Sequence, residues 1–417
     1  MKKIKIVELF SGIGSQVKAI KNIGSKYELI ATCEWDIHSM VAYDFIHNGV
    51  GISDDIKALD KPKLLEILSK YNLSGDGKEK INDKFFKSLS VETLQQIYSS
   101  ILRTNNTVDI EQMSGKDLPN EIDLLTYSFP CQDLSNVGSF HGYKKGIERN
   151  SGSRSSLLWQ VERMLFERNS SNMKLPKFLM LENVPALLAE KNKKYFDEWK
   201  SELVDLGYTN VIYKLRAPDF GLPQTRCRVI MLSVFTGHDE EKENYVNDYF
   251  EKHNLNNIDY VKSLNIQKKK LSDLLRLSTE PKYWNEALEM QPRNTKSRQD
   301  IWNNNLQITK DMSGKIMVEN VATLTTKQDR HPNSGNIYFD YEGNTKSKYR
   351  FLTPRECFML MGFDESDFES VSNNNFYFRK GVKFFSNDVL VKMAGNSIPV
   401  KILEQVFIQV QYLLNKI

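Results

Sequence analysis

Six short apolar runs, each followed by turn residues or a helical pattern, constrain this chain more than any other feature. They are Ile4–Phe10, Glu28–Cys33, Ile122–Ser128, Phe178–Leu181, Val211–Arg216 and Arg228–Phe235, all rich in Ile, Val, Leu or Phe. Strand-like runs alternating with helical ones predict an α/β fold, Rossmann-like, whose mainly parallel sheet is covered on both faces. Ligands of such sheets lie beyond the carboxyl ends of the strands, so chemistry is sought in the residues just after each run. Two stretches break the rhythm. Lys61–Arg103 is polar, with Leu64, Leu65, Ile67 and Leu68, then Leu94, Ile97 and Ile101, at helical spacing. It reads as a helical insert. The second, Gly237–Lys383, is rich in Asn, Lys and Asp and reads as a smaller irregular domain. The expected domains are therefore 1–236 with the insert at about 61–103, then 237–383, then 384–417 completing the first. In that last segment Val400–Leu414 puts Leu403, Val406, Phe407, Val410 and Leu414 on one helix face, which needs the first-half sheet to lie on.

The 417 residues suffice for one large domain and one small one. No run of 18 apolar residues occurs, and Met1-Lys2-Lys3 leads directly into a strand-like run, so a cytoplasmic protein without a membrane partner is expected. Cys33, Cys131, Cys227 and Cys357 form no CxxC pair and the six histidines no HExxH; neither a disulfide framework nor a metal site is expected. A net charge of +4 is compatible with nucleic acid without requiring it.

After the first run comes Ser11-Gly12-Ile13-Gly14. Glycines here allow a tight turn and close approach of a ligand to a helix N-terminus. Val17 breaks any GxGxxG pattern, which disfavours a dinucleotide oxidoreductase. The second run ends in Glu34-Trp35, twenty residues beyond Gly14. A carboxylate there can accept ribose hydroxyls, and the indole can cover an adenine. Asp109-Ile110 can supply an adenine amino contact, with Asp55-Ile56 as a rival of similar local sequence. An adenosine ligand without pyrophosphate fits best, and S-adenosyl-L-methionine is the common one.

The third run leads into Phe129-Pro130-Cys131-Gln132, the fourth into Glu182-Asn183-Val184, and Gln224-Thr225-Arg226-Cys227-Arg228 opens the last. A thiol, a carboxyl and guanidinium groups at neighbouring strand ends suit one reaction in particular. A thiolate, favoured by positive neighbours, adds to carbon 6 of cytosine and makes carbon 5 nucleophilic. Glu182 then holds ring N3 and Arg228 holds O2. The base must leave its duplex stack to be reached. Asn136–Arg154, with four glycines and Lys144, Lys145, Arg149 and Arg154, reads as a lid that also contacts phosphates.

These strings resemble the bacterial C5-cytosine DNA methyltransferase family of restriction-modification systems. ELFSGIG is similar to its cofactor loop, SFPCQDLS to its nucleophile motif, GSRSSLLW to the segment closing its mobile loop, LENV to its ENV motif and QTRCR to QxRxR; RFLTPRECFMLMGF and AGNSIPV are similar to its last motifs. The resemblance implies Cys131, Glu182, Arg226 and Arg228 as the catalytic set, with Arg226 in a structural or supporting role. It implies Phe10, Ser11, Gly12, Gly14, Glu34, Trp35, Asp109, Ile110, Pro130 and Asn396 around S-adenosyl-L-methionine, whose product is S-adenosyl-L-homocysteine. It also implies double-stranded DNA as partner, a monomer, and a cognate restriction endonuclease acting separately. The irregular region becomes a target recognition domain. In it Arg293, Lys296 and Arg298 form one basic cluster, and Gln328, Asp329 and Arg330 are expected at the DNA. The rivals are a tRNA cytosine methyltransferase of the same fold and a catalytically silent DNA-binding relative.

Overall fold

The computed structural model describes residues 2–130, 134, 147–149, 154–328, 334–379 and 381–417, with Arg154 described by its backbone alone. The chain divides into two compact units, 1–215 with 227–264 and 403–417, and 216–226 with 265–402.

The first unit holds a sheet of six strands among the described residues: β1 Ile4–Leu9, β2 Tyr27–Cys33, β3 Leu124–Tyr127, β4 Phe178–Asn183, β5 Tyr208–Arg216 and β6 Cys227–Phe235, in the order β2-β1-β3-β4-β6-β5. All six expected runs are strands. Pairing among the first four is parallel, but β6 runs antiparallel to β4. Every residue of β4 is buried, as a strand covered on both faces requires. Its alternate residues Leu179 and Leu181 share a core with Val161, Met164 and Leu165 of the helix Leu158–Ser170 and Phe196, Trp199 and Leu203 of the helix Glu190–Asp205.

The helices of this unit are α1 Ser15–Asn22, α2 Ile37–Asn48, α3 Asp54–Lys57, α4 Lys61–Leu68, α5 Asp83–Ser88, α6 Val91–Arg103, α7 Leu158–Ser170, α8 Glu190–Asp205, α9 Glu240–Lys252 and α10 Ile258–Ser263. The insert is therefore helical but broken. Asn82 and Ser90 each cap a new helix through the side-chain oxygen, and a loop of residues 69–82 separates α4 from α5. Leu94, Ile97 and Ile101 are buried as the spacing predicts.

The boundary expected at residue 237 is corrected. Both α9 and α10 belong to the first unit. Asn256 between them donates to the Ile212 carbonyl (2.8 Å) and accepts the Lys214 N–H (2.8 Å) of β5, while Tyr249 and Phe250 are buried. Their polar composition hid this, because only one face packs. Conversely, residues 384–402 fall in the second unit.

The second unit contains α11 Leu271–Leu274, α12 Pro281–Glu289, α13 Lys296–Asn304, α14 Pro354–Leu360, α15 Glu365–Ser372 and α16 Asn387–Asn396. Two small hairpin pairs join them, β7 Ile337–Tyr338 with β8 Tyr349–Arg350, and β9 Tyr377–Arg379 with β10 Val382–Lys383. Its interior is ionic as well as apolar. Arg350 and Glu356 are both fully buried and joined by two bonds of 2.8 and 2.9 Å. Helix α17, Val400–Leu414, closes the chain, with Leu403, Val406, Phe407, Val410 and Leu414 all buried. Among the described residues no helix is long and apolar enough to cross a membrane.

Candidate active site

Strand register builds the site. Leu9 pairs with Cys33 on one side and with Tyr127 on the other, and Tyr127 pairs with Leu181. One step beyond that row lie Phe10, Glu34, Ser128 and Glu182. With about 4.8 Å between strands, four expected site segments follow one another along the carboxyl edge.

At the β1–β2 end of this edge, the Phe10 and Ser11 N–H groups donate to the Cys33 carbonyl at 2.8 and 3.3 Å. The Gly12 N–H donates to the Glu34 carboxylate at 3.0 Å. Phe10 holds φ 57, a conformation that costs an L-residue about 1–2 kcal/mol and marks functional turns. Gly12 and Gly14 also have positive φ, but for different reasons. A Cβ on Gly12 meets nothing within 4 Å, whereas one on Gly14 lies 2.2 Å from His47 Nε2 and 2.7 Å from Tyr43 Cε2. Gly12 thus presents open space to a ligand, and Gly14 makes room for two rings beneath the loop. His47 donates from Nε2 to the Ile13 carbonyl at 3.0 Å. Burial holds its pKa down to about 3, so the imidazole stays neutral. Glu8 bonds the Tyr43 hydroxyl and accepts the Val17 N–H of α1 at 3.2 Å; burial pushes its carboxyl up to about 7.

The glycine contrast predicts two outcomes. Gly14→Ala should destabilise the fold by about 2 kcal/mol or more, through backbone strain and the ring clash together. Gly12→Ala should cost stability only the strain but abolish cofactor binding. Thermal unfolding beside calorimetric titration checks both. Equal cofactor affinity in Gly12→Ala and wild type would remove the loop from the ligand.

Asp109 follows the turn beside β2, where Thr107 N–H donates to the Thr32 carbonyl at 2.9 Å. Asp55 sits exposed in α3, so geometry favours Asp109 over its rival. Ile110 is buried, and Trp35 is partly exposed. Asn396 is exposed at the end of α16 in the second unit.

At the reacting end, Glu182 and Arg228 meet as diagonal neighbours across the β4–β6 pair, with Arg228 Nε 2.9 Å from Glu182 Oε1 and both side chains largely buried. Asn183 donates to the Phe129 carbonyl at 3.1 Å, and Ser155 Oγ to the Pro130 carbonyl at 2.6 Å. The two residues preceding Cys131 are thus fastened to β4 and to the turn before α7. Ser128 Oγ, in the same row, is buried with no hydrogen-bond partner among the described residues, an orphan that a ligand can satisfy. Cys131, Lys144, Lys145, Asp329 and Arg330 lie outside the described residues, as do most of the expected lid and the side chain of Arg154. Cys33 and Cys357 are buried, and burial raises both thiols, Cys33 to about 12; neither is a thiolate at neutral pH.

Two expectations change. Gln328 does not face DNA. Its amide donates to the Leu352 carbonyl (3.2 Å) and accepts the Leu352 N–H (3.1 Å), and the residue is buried. Arg149 is not a phosphate contact. It stacks 3.7 Å over Trp159 and bonds Glu162 through both terminal nitrogens (2.5 Å each) and Glu198 (2.7 Å). Arg226, expected in a structural or supporting role, is buried and donates to the Leu324, Gly395 and Ser397 carbonyls at 2.8–2.9 Å. Arg293 and Lys296 are exposed, and Arg298 lies over Phe351. The sequence reading gave no role to Asn183, Ser155, His47 or Tyr43; Asn183 and Ser155 lie within the quoted strings LENV and GSRSSLLW, whereas nothing in the sequence marked His47 or Tyr43.

A sequence model of the family described as C-5 cytosine-specific DNA methylase matches residues 78–411. The orphan methyltransferase M.SssI of Spiroplasma monobiae is 30% identical, the alignment covering 97% of this chain and 96% of that protein. The type II methyltransferase M2.ScrFI of Lactococcus lactis subsp. cremoris is 29% identical over 97% and 98%. Among solved structures, the S. pombe Dnmt2 methyltransferase matches with TM-score 0.57 at 16% identity, over 99% of this chain and 100% of that one. An Entamoeba histolytica methyltransferase matches with TM-score 0.55 at 15% identity, over 99% of each. At such identities these structures speak for the fold alone.

Proposed function

This chain belongs to the C-5 cytosine-specific DNA methylases, and from that premise we propose that it methylates carbon 5 of a cytosine swung out of a specific duplex DNA site, through covalent addition of Cys131 at carbon 6. The observation that carries the proposal is the Glu182–Arg228 pair, with Asn183, the residue after Glu182, bonded to the carbonyl of Phe129 two residues before Cys131. Glu182 and Arg228 hold the polar edge of the pyrimidine and compensate the charge that develops there as the thiolate adds. Glu34, Asp109, Phe10, Trp35 and the open face of Gly12 hold S-adenosyl-L-methionine. The fit rests on the room above Gly12, the Ser128 hydroxyl without a partner among the described residues, and an acceptor set suited to a nucleoside. Bound there, the cofactor supplies an electrophilic methyl on a sulfonium sulfur. The second unit serves as target recognition domain, with Arg293 and Lys296 at the DNA. The enzyme acts as a monomer in the cytoplasm, beside any endonuclease sharing its site.

Purified protein incubated with labelled cofactor and either duplex DNA or tRNA tests the reading. Label is expected in DNA, at 5-methylcytosine within one recurring sequence. Label confined to tRNA would shift the assignment to the rival substrate. Glu182→Gln and Arg228→Ala are each expected to lower kcat about 10²- to 10³-fold. Their double variant should lose little more, because both groups grip one base edge. Full additivity would separate their roles.

A further inference from the structure

Two asparagines help to fix Glu34 and Asp109 in place. Asn106 is 5% exposed, in the turn after α6. Its Oδ1 accepts the Glu34 N–H at 3.0 Å and the Val108 N–H at 2.9 Å, and its Nδ2 donates to the Glu34 carbonyl at 2.9 Å. One side-chain amide therefore brackets Glu34 on both sides of its backbone and pins Val108. Val108 stands at φ 67. A β-branched residue adopts that conformation only when its surroundings over-determine it, and the residue that the twist sends off is Asp109. Asn72 completes the arrangement from the insert, in the loop between α4 and α5. Its Nδ2 donates to Asp109 Oδ2 at 2.6 Å, and the Glu111 N–H donates to Oδ1 at 2.9 Å. The same loop is stitched to the end of β2. The Ser74 N–H donates to the Trp35 carbonyl at 2.8 Å, and the Ile37 N–H to the Ser74 carbonyl at 2.9 Å.

We infer that Asn106 and Asn72 are positioning residues for the cofactor, and that the helical insert is a working part of the cofactor site through Asn72. The inference rests on the assignment of Glu34 and Asp109 as ribose and adenine acceptors. Neither asparagine touches the reacting atoms. Asn106 acts through Glu34 and Val108, and Asn72 through the orientation of the Asp109 carboxylate. The 6-amino group of adenine is the part of the ligand that Asn72 serves.

Calorimetric titration of the full chain with S-adenosyl-L-homocysteine, and with its 6-oxo (inosyl) counterpart, tests this without turnover. Asn106→Ala should weaken S-adenosyl-L-homocysteine about 30- to 150-fold through the loss of its hydrogen bonds to Glu34 and Val108. Asn72→Ala should weaken it about fivefold to tenfold and also shrink the preference for the 6-amino over the 6-oxo ligand. A merely structural role would leave that preference unchanged. In turnover, KM for the cofactor should rise while KM for DNA and kcat at saturating cofactor hold. Asn72 is only partly buried in its loop, so its variant decides the matter should Asn106→Ala unfold. Binding and preference within twofold of wild type in Asn72→Ala overturn the inference. No binding by the wild-type chain overturns instead the functional reading, and the inference with it.

Discussion

Cys131→Ser is expected to lower methyl transfer to duplex DNA by at least about three orders of magnitude while S-adenosyl-L-homocysteine binds within about threefold of wild type. The size follows from the nucleophile. A hydroxyl is essentially un-ionised at neutral pH, whereas a thiol supplies a usable fraction of thiolate. Removing the attacking atom leaves only the residual benefit of binding and charge compensation. Cys33 and Cys357 do not compensate, since both are buried with raised thiols. Retained binding separates loss of chemistry from loss of fold. A duplex carrying 5-fluorocytosine provides the complementary readout. The adduct cannot release fluorine as a cation, so wild type should stay covalently attached and Cys131→Ser should not. Robust turnover by the serine variant would contradict the mechanism.

The second large effect concerns stability. Arg355 is 1% exposed and reaches three carboxylates. It bonds Glu286 through Nε and Nη2 at 2.7–3.1 Å, Glu365 at 2.9 Å and Glu369 at 3.0 Å, and packs 4.7 Å over Phe368. Arg276 shares Glu365 at 2.6 Å, and Lys282 shares Glu369. Removing one partner of a buried pair typically costs about 3–5 kcal/mol. The three acids are partly exposed, so about 3 kcal/mol is expected for Arg355→Ala at pH 7. Arg355→Lys should recover little of it, because an ammonium cannot serve three carboxylates in one plane. The sign with pH is fixed by the acids. Bonding to Arg276 first, then to Tyr283, holds Glu365 down to about 2, and Lys282 first lowers Glu369. A depressed carboxylate stabilises the fold fully above its unfolded pKa, near 4.3, and progressively less as pH falls toward 2. Wild type should therefore lose stability over that window, and its advantage over Arg355→Ala should narrow. Urea unfolding at pH 7 and pH 3 measures both, and a gap independent of pH would refute the ionic account.

The strands and the strand-end residues were legible because period and turn chemistry are local. Each expected run became a strand, and the register then aligned Phe10, Glu34 and Glu182. Direction was not legible. Cys227–Phe235 carries the same apolar signature whether it runs with β4 or against it. Nor was the fate of polar side chains. Gln328 and Arg149 have the composition of DNA contacts, yet one serves the backbone of Leu352 and the other an internal carboxylate pair. A donor reads the same in sequence whether its acceptor is a base or a peptide. Asn106 and Asn72 escaped notice for the same reason, since their partners lie 72 and 37 residues away. The assignment of α9 and α10 depended on which half of an amphipathic helix found a neighbour.

The first unit is assembled from three separated stretches of chain, and this bears on how it matures. Its sheet is complete once Phe235 has been made, but Leu403, Val406 and Phe407, which finish its packing, follow about 170 residues later. At ordinary translation speeds that is a wait of roughly 10–30 s. During it the nascent polypeptide carries a finished set of strands with an unsealed oily flank. Such a topology is high in contact order and slow to consolidate. It ties competence to modify DNA to the arrival of α17, so that a stalled or prematurely released fragment would be a client for chaperones rather than a stray methylase.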